Sequence, residues 1–295
     1  MYQNWSQDSP EERQQKITAL YYDKLKHASR GHEAVKYVRR LRKGHYDQSE
    51  LQYSVIIEGL SVLEAALKYQ VDFEYLFVCP ADIYSPLAQR VLAQLTDKAR
   101  HSFLVSPKTF TLISAKDNSN GLLAVAGIDK AKLKELKSRS PELIIILDGL
   151  ETPGNIGTII RSADAVNANG IIITNRRARL FTPLMVRSSR GACFKFPIVE
   201  SSVSEASSFL LSNDYEIILA DTAAPINYYH HSYSRPTALI MGSERFGISS
   251  EWYTHPHTKV SIPMYGDCDS LNVSIAATVL LYEMRLQKEK LLNRA

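Results

Sequence analysis

Five short aliphatic runs in the second half of the chain restrict the folds open to it: Leu143–Leu147, Ile171–Thr174, Glu216–Ala220, Ala238–Met241 and Lys259–Ile262. Most of their positions are Ile, Leu, Val or Ala, with little alternation between apolar and polar. Such runs suit a parallel sheet covered on both faces, because a strand with one face in water alternates. Helix-like stretches, including 156–167 and 203–212, lie between them, and a final helix is predicted from about Val273 to Lys290. Residues 142–295 therefore read as an α/β domain on a parallel sheet. The strongest runs, such as Leu143–Leu147, are far shorter than the roughly 20 residues of a membrane span.

Upstream, residues 49–128 read as a smaller α/β domain. Strands are predicted at Tyr53–Ile57, Tyr75–Val78, Phe103–Val105 and Leu122–Ala126, with helices at Leu60–Tyr69 and Pro86–Leu95. Residues 129–141 are polar and basic and read as a linker. Residues 1–48 read as a helical, basic extension, with Ser9-Pro10-Glu11-Glu12 as a helix start. Residues 24–43 hold eight basic side chains against one acid, Glu33, although the whole chain carries a formal net charge of only +4. Charge so one-sided either lies on a solvated helix face or meets a polyanion. Arg39, Arg40 and Arg42 are the candidate polyanion contacts there. The three cysteines, Cys79, Cys193 and Cys268, form neither a disulfide framework nor a zinc motif. The N-terminus is polar and acidic, unlike a signal peptide. A soluble protein of the reducing cytoplasm is expected, with no metal.

Each of three predicted strands runs into a polar turn. Leu143–Leu147 leads to DGLETPGNIGTIIRSADA, which holds Asn155 and Arg161. Ala238–Met241 leads to MGSERFGIS, which holds Glu244, and Lys259–Ile262 leads to IPMYGDCDSLNVSIAATVLLYE. Gly149 and Gly154 fit half of a phosphate-binding P-loop, but Asn155 and Ile156 stand where Lys and Ser/Thr belong. The GxGxxG dinucleotide spacing is also missing, so ATP hydrolysis and nicotinamide chemistry lose support. All three turns sit at the carboxyl edge of the sheet, where open α/β folds bind ligands.

Taken together, the three turns resemble the motifs of the SpoU family of RNA ribose 2′-O-methyltransferases, within the SPOUT superfamily. The segments GHEAVKYVRRLRK, VIIEGLSVLEAAL and SPKTFTLISAKDNSNGLLAVAG resemble the ribosomal-protein-like substrate-binding domain of many members. The likeness covers roughly residues 30–290. It implies a trefoil-knotted catalytic domain, S-adenosylmethionine as cofactor, and a homodimer with a shared active site. It assigns catalysis to Arg161, Asn155, Glu244, Ser270 and Asn272, and places Gly242, Ile262 and Leu271 against the methyl donor. Arg161 acts there as general base or as an electrostatic hold on the developing alkoxide. An arginine is always protonated, which favours the second role. Asn155 either orients the ribose or caps its helix, Glu244 binds an arginine or a backbone N–H, Ser270 contacts substrate or Arg161, and Asn272 caps the last helix or supports the knot.

Arg187 lies in a segment that resembles a substrate-side loop of the family, and Arg176, Arg177, Arg179 and Arg190 make the stretch arginine-rich. A phosphate-binding surface is expected, with Arg187, Arg176 and Arg177 on it. Tyr228–His231 and His255–His257 lack nearby acids or cysteines and read as surface loops. Arg245 and Phe246 depart from the small residues usual after the motif glutamate and could alter substrate fit. Ribosomal RNA is the expected substrate ahead of transfer RNA, because a separate binding domain suits a structured site. The rival reading is a non-catalytic RNA-binding or ribosome-assembly protein of the same fold.

Overall fold

Serine and proline set three helix starts of the N-terminal half, at Ser9-Pro10, Ser85-Pro86 and Ser106-Pro107. In the computed structural model, which describes residues 4–45, 51–115, 120–136 and 142–292, Ser9 Oγ accepts from the Glu12 N–H at 3.1 Å. Glu12 in turn accepts from the Ser9 N–H at 2.7 Å. This reciprocal cap opens α1 (Pro10–Leu20). There follow β1 (Lys26–His27), α2 (Glu33–Arg42), β2 (Gln52–Glu58), α3 (Leu60–Lys68) and β3 (Asp72–Val78). Then come α4 (Pro86–Lys98), β4 (His101–Leu104), α5 (Pro107–Ile113) and β5 (Leu122–Asp129). Ser85 and Ser106 cap α4 and α5. The sheet order is β1-β4-β3-β5-β2, with β5 antiparallel to β2 and β3 and the other pairs parallel. Val35, Val38 and Leu41 of α2 and Phe110 of α5 pack on Phe77 and Phe103 of the sheet. Residues read as a separate extension thus enter the sheet itself, where β1 pairs Lys26 with Phe103.

The second half comprises β6 (Leu143–Asp148), α6 (Pro153–Ala165), β7 (Gly170–Thr174), α7 (Pro183–Ser188) and β8 (Ile198–Glu200). It continues through α8 (Val203–Ser212), β9 (Glu216–Ala220), β10 (Thr237–Gly242), β11 (Thr258–Val260) and α9 (Val273–Leu292). Its six strands are all parallel, in the order β11-β9-β10-β6-β7-β8. The apolar runs lie in the middle of this sheet, and every residue of β6 and β7 is buried. The chain steps outward from β6 to β8, crosses to β9, and returns with β10 to lie beside β6. The loops after β6 and β10 therefore leave neighbouring strands at the reversal of strand order, where such sheets hold ligands.

Packing divides the chain into one unit of Met1–Asp129 with Phe181–Phe194, and another of Lys130–Leu180 with Lys195–Ala295. The segment that carries α7 and Arg187 thus packs with the N-terminal residues. Phe181 meets Tyr53 of β2 with ring centroids 4.9 Å apart. In the stretch read as a linker, Leu136 is buried in the core of the second unit and Ala131 bridges to Val199. Residues 137–141 of that stretch lie outside the described residues. No helix among the described residues is long and apolar enough to cross a membrane.

The last helix packs on α6, with Ser162 Oγ and Thr278 Oγ1 2.6 Å apart. Near its end Lys288 is 6% exposed and donates to the Arg235 carbonyl. Burial pushes its ammonium down from 10.5 to about 8, against the opposing pull of Glu142 and Glu216. The unfolded chain holds this proton more tightly, so the penalty is full below pH 8 and fades as pH rises towards 10.5. Lys288→Met is therefore expected to lose ground against the native chain as pH rises from 8 to 10.5, by several degrees in Tm. Calorimetric melting at pH 7 and pH 10 checks this, and a constant difference would refute it.

Candidate active site

Proline at the first turn of α6 and the buried strand before it hold the first polar turn. Asp148 ends β6 and is 2% exposed. Its carboxylate accepts from Thr174 Oγ1 and Asn175 Nδ2, both at 2.8 Å, and from the Ser249 N–H at 2.7 Å. One buried acid thus ties the ends of β6 and β7 to the turn after β10. Sequence reasoning passed over it; the available signal was a single carboxylate closing an otherwise aliphatic strand before glycine.

The turn after β10 closes on itself. The Ser243 N–H donates to the Gly247 carbonyl at 3.0 Å, and the Gly247 N–H returns to the Ser243 carbonyl at 2.9 Å. Gly247 has φ +67°, the left-handed region that favours glycine. A side chain on Gly242 would place its Cβ 2.3–2.5 Å from the Gly247 and Ile248 backbone. This closure is what glycine serves at position 242. A larger residue there collides with the turn.

Asn155 is the third residue of α6, behind the N-cap Thr152, and so does not cap the helix. Its Nδ2 donates instead to Glu244 Oε1. Asn272 Nδ2 makes a long contact of 3.5 Å to Asn155 Oδ1. Asn272 Oδ1 accepts from the Ser274 N–H at 2.9 Å and from Ser274 Oγ at 2.7 Å, so it also caps α9 as expected. The three motifs are joined through Asn155. Glu244 is engaged by an amide, and its expected arginine or backbone partner is not what it meets. Arg161 stands apart: it is exposed and makes no hydrogen bond or ion pair among the described residues. Six residues of helix carry it about 9 Å beyond Asn155 and roughly 120° around the axis.

A cavity of about 300 Å³ opens beside this network, between the loops that follow β9, β10 and β11. Gly242, Ile262 and Leu271 line it, and so do Glu244 and Ser270. Asp221, Thr222, Tyr253 and Met264 line it too and were not foreseen. Ile248, Val260 and Leu280 make its walls largely apolar, while Asp221, Thr222 and Ser243 supply polar groups. That combination fits S-adenosylmethionine, which has a flat heteroaromatic ring and a polar, charged tail. Asp221 is itself held by the Ala223 N–H at 2.9 Å and by Tyr253 Oη at 3.3 Å. Gly266, in the turn that leads to Leu271, has open space around it and no positive φ.

The expected RNA contacts divide. Arg42 is largely internal: its guanidinium pairs with Glu58 and donates to the Ile113 carbonyl, and both pair members are mostly buried. This corrects its reading as a phosphate contact. Arg39 is half-buried, and Arg40 is exposed with its guanidinium 5.8 Å from the Tyr37 ring centroid. Arg176 pairs with Glu200 at 2.5 Å and Arg177 with Glu151 at 2.9 Å. Arg187 is exposed and lines, with Arg42, a cavity of about 450 Å³ in the N-terminal unit. The arginine-rich stretch is therefore shared between the two units. His231 is not a plain surface residue, since its Nε2 lies 3.0 Å from Glu216 Oε1. Among the described residues no cluster of His, Cys, Asp and Glu could hold a metal ion. Cys79 and Cys193 are buried, and burial pushes both thiols up to about 12, which makes them inert as nucleophiles.

Residues 142–282 match the SpoU rRNA Methylase family, and residues 32–124 match an MRM3-like substrate binding domain. A 23S rRNA uridine 2′-O-methyltransferase from Streptomyces viridochromogenes is 34% identical over 57% of this chain and 60% of its own length. The chain thus spans less than two thirds of that relative. An uncharacterized tRNA/rRNA methyltransferase from Synechocystis is 32% identical over 85% of this chain and 91% of its own length. Among solved structures, the AdoMet-bound rRNA methyltransferase of Sinorhizobium meliloti superposes with a TM-score of 0.79 at 27% identity. That superposition covers 89% of this chain and 98% of the other.

Proposed function

The chain belongs to the SpoU rRNA methylase family, and from that premise we propose that it methylates a ribose 2′-hydroxyl in ribosomal RNA, using S-adenosylmethionine. The observation that carries this reading is the meeting of Asn155, Glu244 and Asn272 beside an apolar cavity, although 89 and 117 residues separate Asn155 from its two partners. S-adenosylmethionine, when bound, supplies the sulfonium methyl group. Gly242, Ile262 and Leu271 form the walls that hold the donor. Glu244 and Asn272 fix the Asn155 amide, whose remaining N–H and oxygen lone pair orient the ribose. Ser270 lines the cavity and contacts the incoming nucleotide. The unpaired guanidinium of Arg161 stabilises charge as it develops on the 2′-oxygen, and the proton leaves to water. An arginine left free of internal partners favours an enzyme over a non-catalytic relative.

The test is methyl transfer by the purified chain to deproteinised ribosomal RNA, with ribose methylation mapped in cells with and without the gene. One ribose in ribosomal RNA is expected to lose its mark. Labelling of transfer RNA alone, or of a base, would overturn the reading.

We also read the working form as a homodimer in the cytoplasm. The support is the separation of Arg161 from the Asn155 network, together with an apolar stripe on α9. Ile275, Tyr282 and Leu286 stand there 52%, 46% and 49% exposed at helical spacing. A monomer in sedimentation at high micromolar concentration, with full activity, would sink this part. The unit of Met1–Asp129 with Phe181–Phe194 is read as the RNA-gripping part, and that of Lys130–Leu180 with Lys195–Ala295 as the catalytic part.

Arg39 and Arg40 replaced together by alanine are expected to weaken RNA binding and flatten its salt dependence by about 0.9 for each phosphate that is no longer neutralised. Arg42→Ala is expected to lower Tm by several degrees, because it takes a guanidinium away from the mostly buried Glu58 carboxylate. Filter binding across a salt series and thermal melting separate the two. An unchanged slope in the double variant would make the 24–43 cluster a solvated helix face.

A further inference from the structure

The turn after β10 has residues on the donor cavity and residues off it. Ser243, Glu244 and Gly247 line the cavity, while Arg245 and Phe246 do not. Phe246 is 60% exposed. The Arg177 guanidinium lies 4.3 Å from its ring centroid and that of Arg245 5.4 Å. This arrangement is built firmly. Glu151 holds Arg177 Nη1 at 2.9 Å, and the Phe246 N–H donates to Ser243 Oγ at 3.0 Å. We propose that Phe246, with the guanidinium groups of Arg177 and Arg245 against it, is a stacking platform for an unpaired nucleobase next to the methylated ribose.

The chemistry points to a base. A phosphate site needs charged donors and gains nothing from a phenyl ring. A nucleobase stacks on an aromatic ring or on a guanidinium plane whatever its Watson–Crick edge. A ribose brought to a cavity at the carboxyl edge of the sheet must leave its helical stack, and the bases beside it are then unstacked on one side. An aromatic surface on the same closed turn replaces that stacking. Arg245 carries no ion pair among the described residues, so its charge is available to the phosphate that follows the base. The platform rests on the reading of the chain as an RNA-modifying enzyme and adds where, and by which chemical class, the substrate is gripped.

The test uses the full chain and two probes of about twelve nucleotides, oligoadenylate and an abasic ribose-phosphate oligomer of equal length. Phe246→Trp places a reporter on the platform. The native tryptophans, Trp5 and Trp252, are 8% and 0% exposed, so no bound base can stack on them and their emission is a constant background. Oligoadenylate is expected to quench the new indole and the abasic oligomer to leave it bright. Phe246→Ala is expected to bind oligoadenylate roughly tenfold more weakly, with its affinity for the abasic oligomer and its salt slope unchanged. Arg177→Lys, which keeps the charge but loses the planar group, is expected to lose part of the same preference. Bound oligoadenylate without quenching overturns the platform, and so does equal weakening towards both oligomers in Phe246→Ala. If the native chain methylates ribosomal RNA yet never distinguishes the two oligomers, the platform falls and the enzyme reading stands. If it neither binds oligomers nor methylates RNA, both fall.

Discussion

Arg161→Ala is expected to cut turnover by a factor on the order of 100 to 1,000 at saturating RNA, the loss typical of removing one donor to a developing oxyanion. S-adenosylmethionine binding should survive, because Arg161 is not among the residues lining the donor cavity. Stability should survive as well, since the side chain is exposed and makes no internal hydrogen bond or ion pair among the described residues. Interactions formed only in the transition state change kcat, whereas uniform binding changes KM. Single-turnover kinetics with calorimetry of donor binding therefore give a clear pattern: chemistry slowed by that factor, donor affinity and Tm kept. Near-normal turnover at saturating RNA would remove Arg161 from the chemistry. Arg161→Lys sharpens the point. It keeps a positive charge but not the planar fork, so partial recovery favours charge stabilisation and full loss favours bidentate positioning.

Much of the sheet was legible because its strands are buried on both faces. Leu143–Leu147 and Ile171–Thr174 each fall within one residue of β6 and β7, and the strand predicted at Lys259–Ile262 begins one residue after β11 does. Three-residue β8 escaped notice, because Ile198–Glu200 follows a proline and is too short to show a period. The site was legible as residue types but not as partnerships. Glu244 meets Asn155 because β10 inserts beside β6, and strand order does not follow from periodicity. Arg42 was misread for a different reason. A count of charge along 24–43 ignores the helix face. Arg42 lies seven and four residues after the buried Val35 and Val38, so helical spacing alone puts it on the inner side of α2.

The same distinction between chemical type and local geometry governs glycine, and Gly242→Ala is expected to show it. The added methyl would lie 2.3 Å from the Gly247 carbonyl carbon and 2.4 Å from the Ile248 nitrogen. Backbone atoms cannot yield as the end of a flexible side chain does, so the Ser243–Gly247 closure must open. Ser243, Glu244 and Gly247 line the donor cavity, and Ser249 is bonded to Asp148, so the displacement reaches both the donor wall and the Asn155 partner. The expected outcome is loss of S-adenosylmethionine affinity on the order of 100-fold or more, with a Tm several degrees lower, since overpacking costs about 1–3 kcal/mol. Gly266→Ala is the matched control. It lies in the turn that leads to Leu271, its Cβ would meet nothing within 4 Å, and its φ is not positive. That variant is expected to bind the donor like the native chain. Calorimetry on the two variants decides between glycine as a general requirement of these motifs and glycine as a steric necessity at one position. Equal donor affinity in both would show that the β10 turn opens freely and does not shape the pocket.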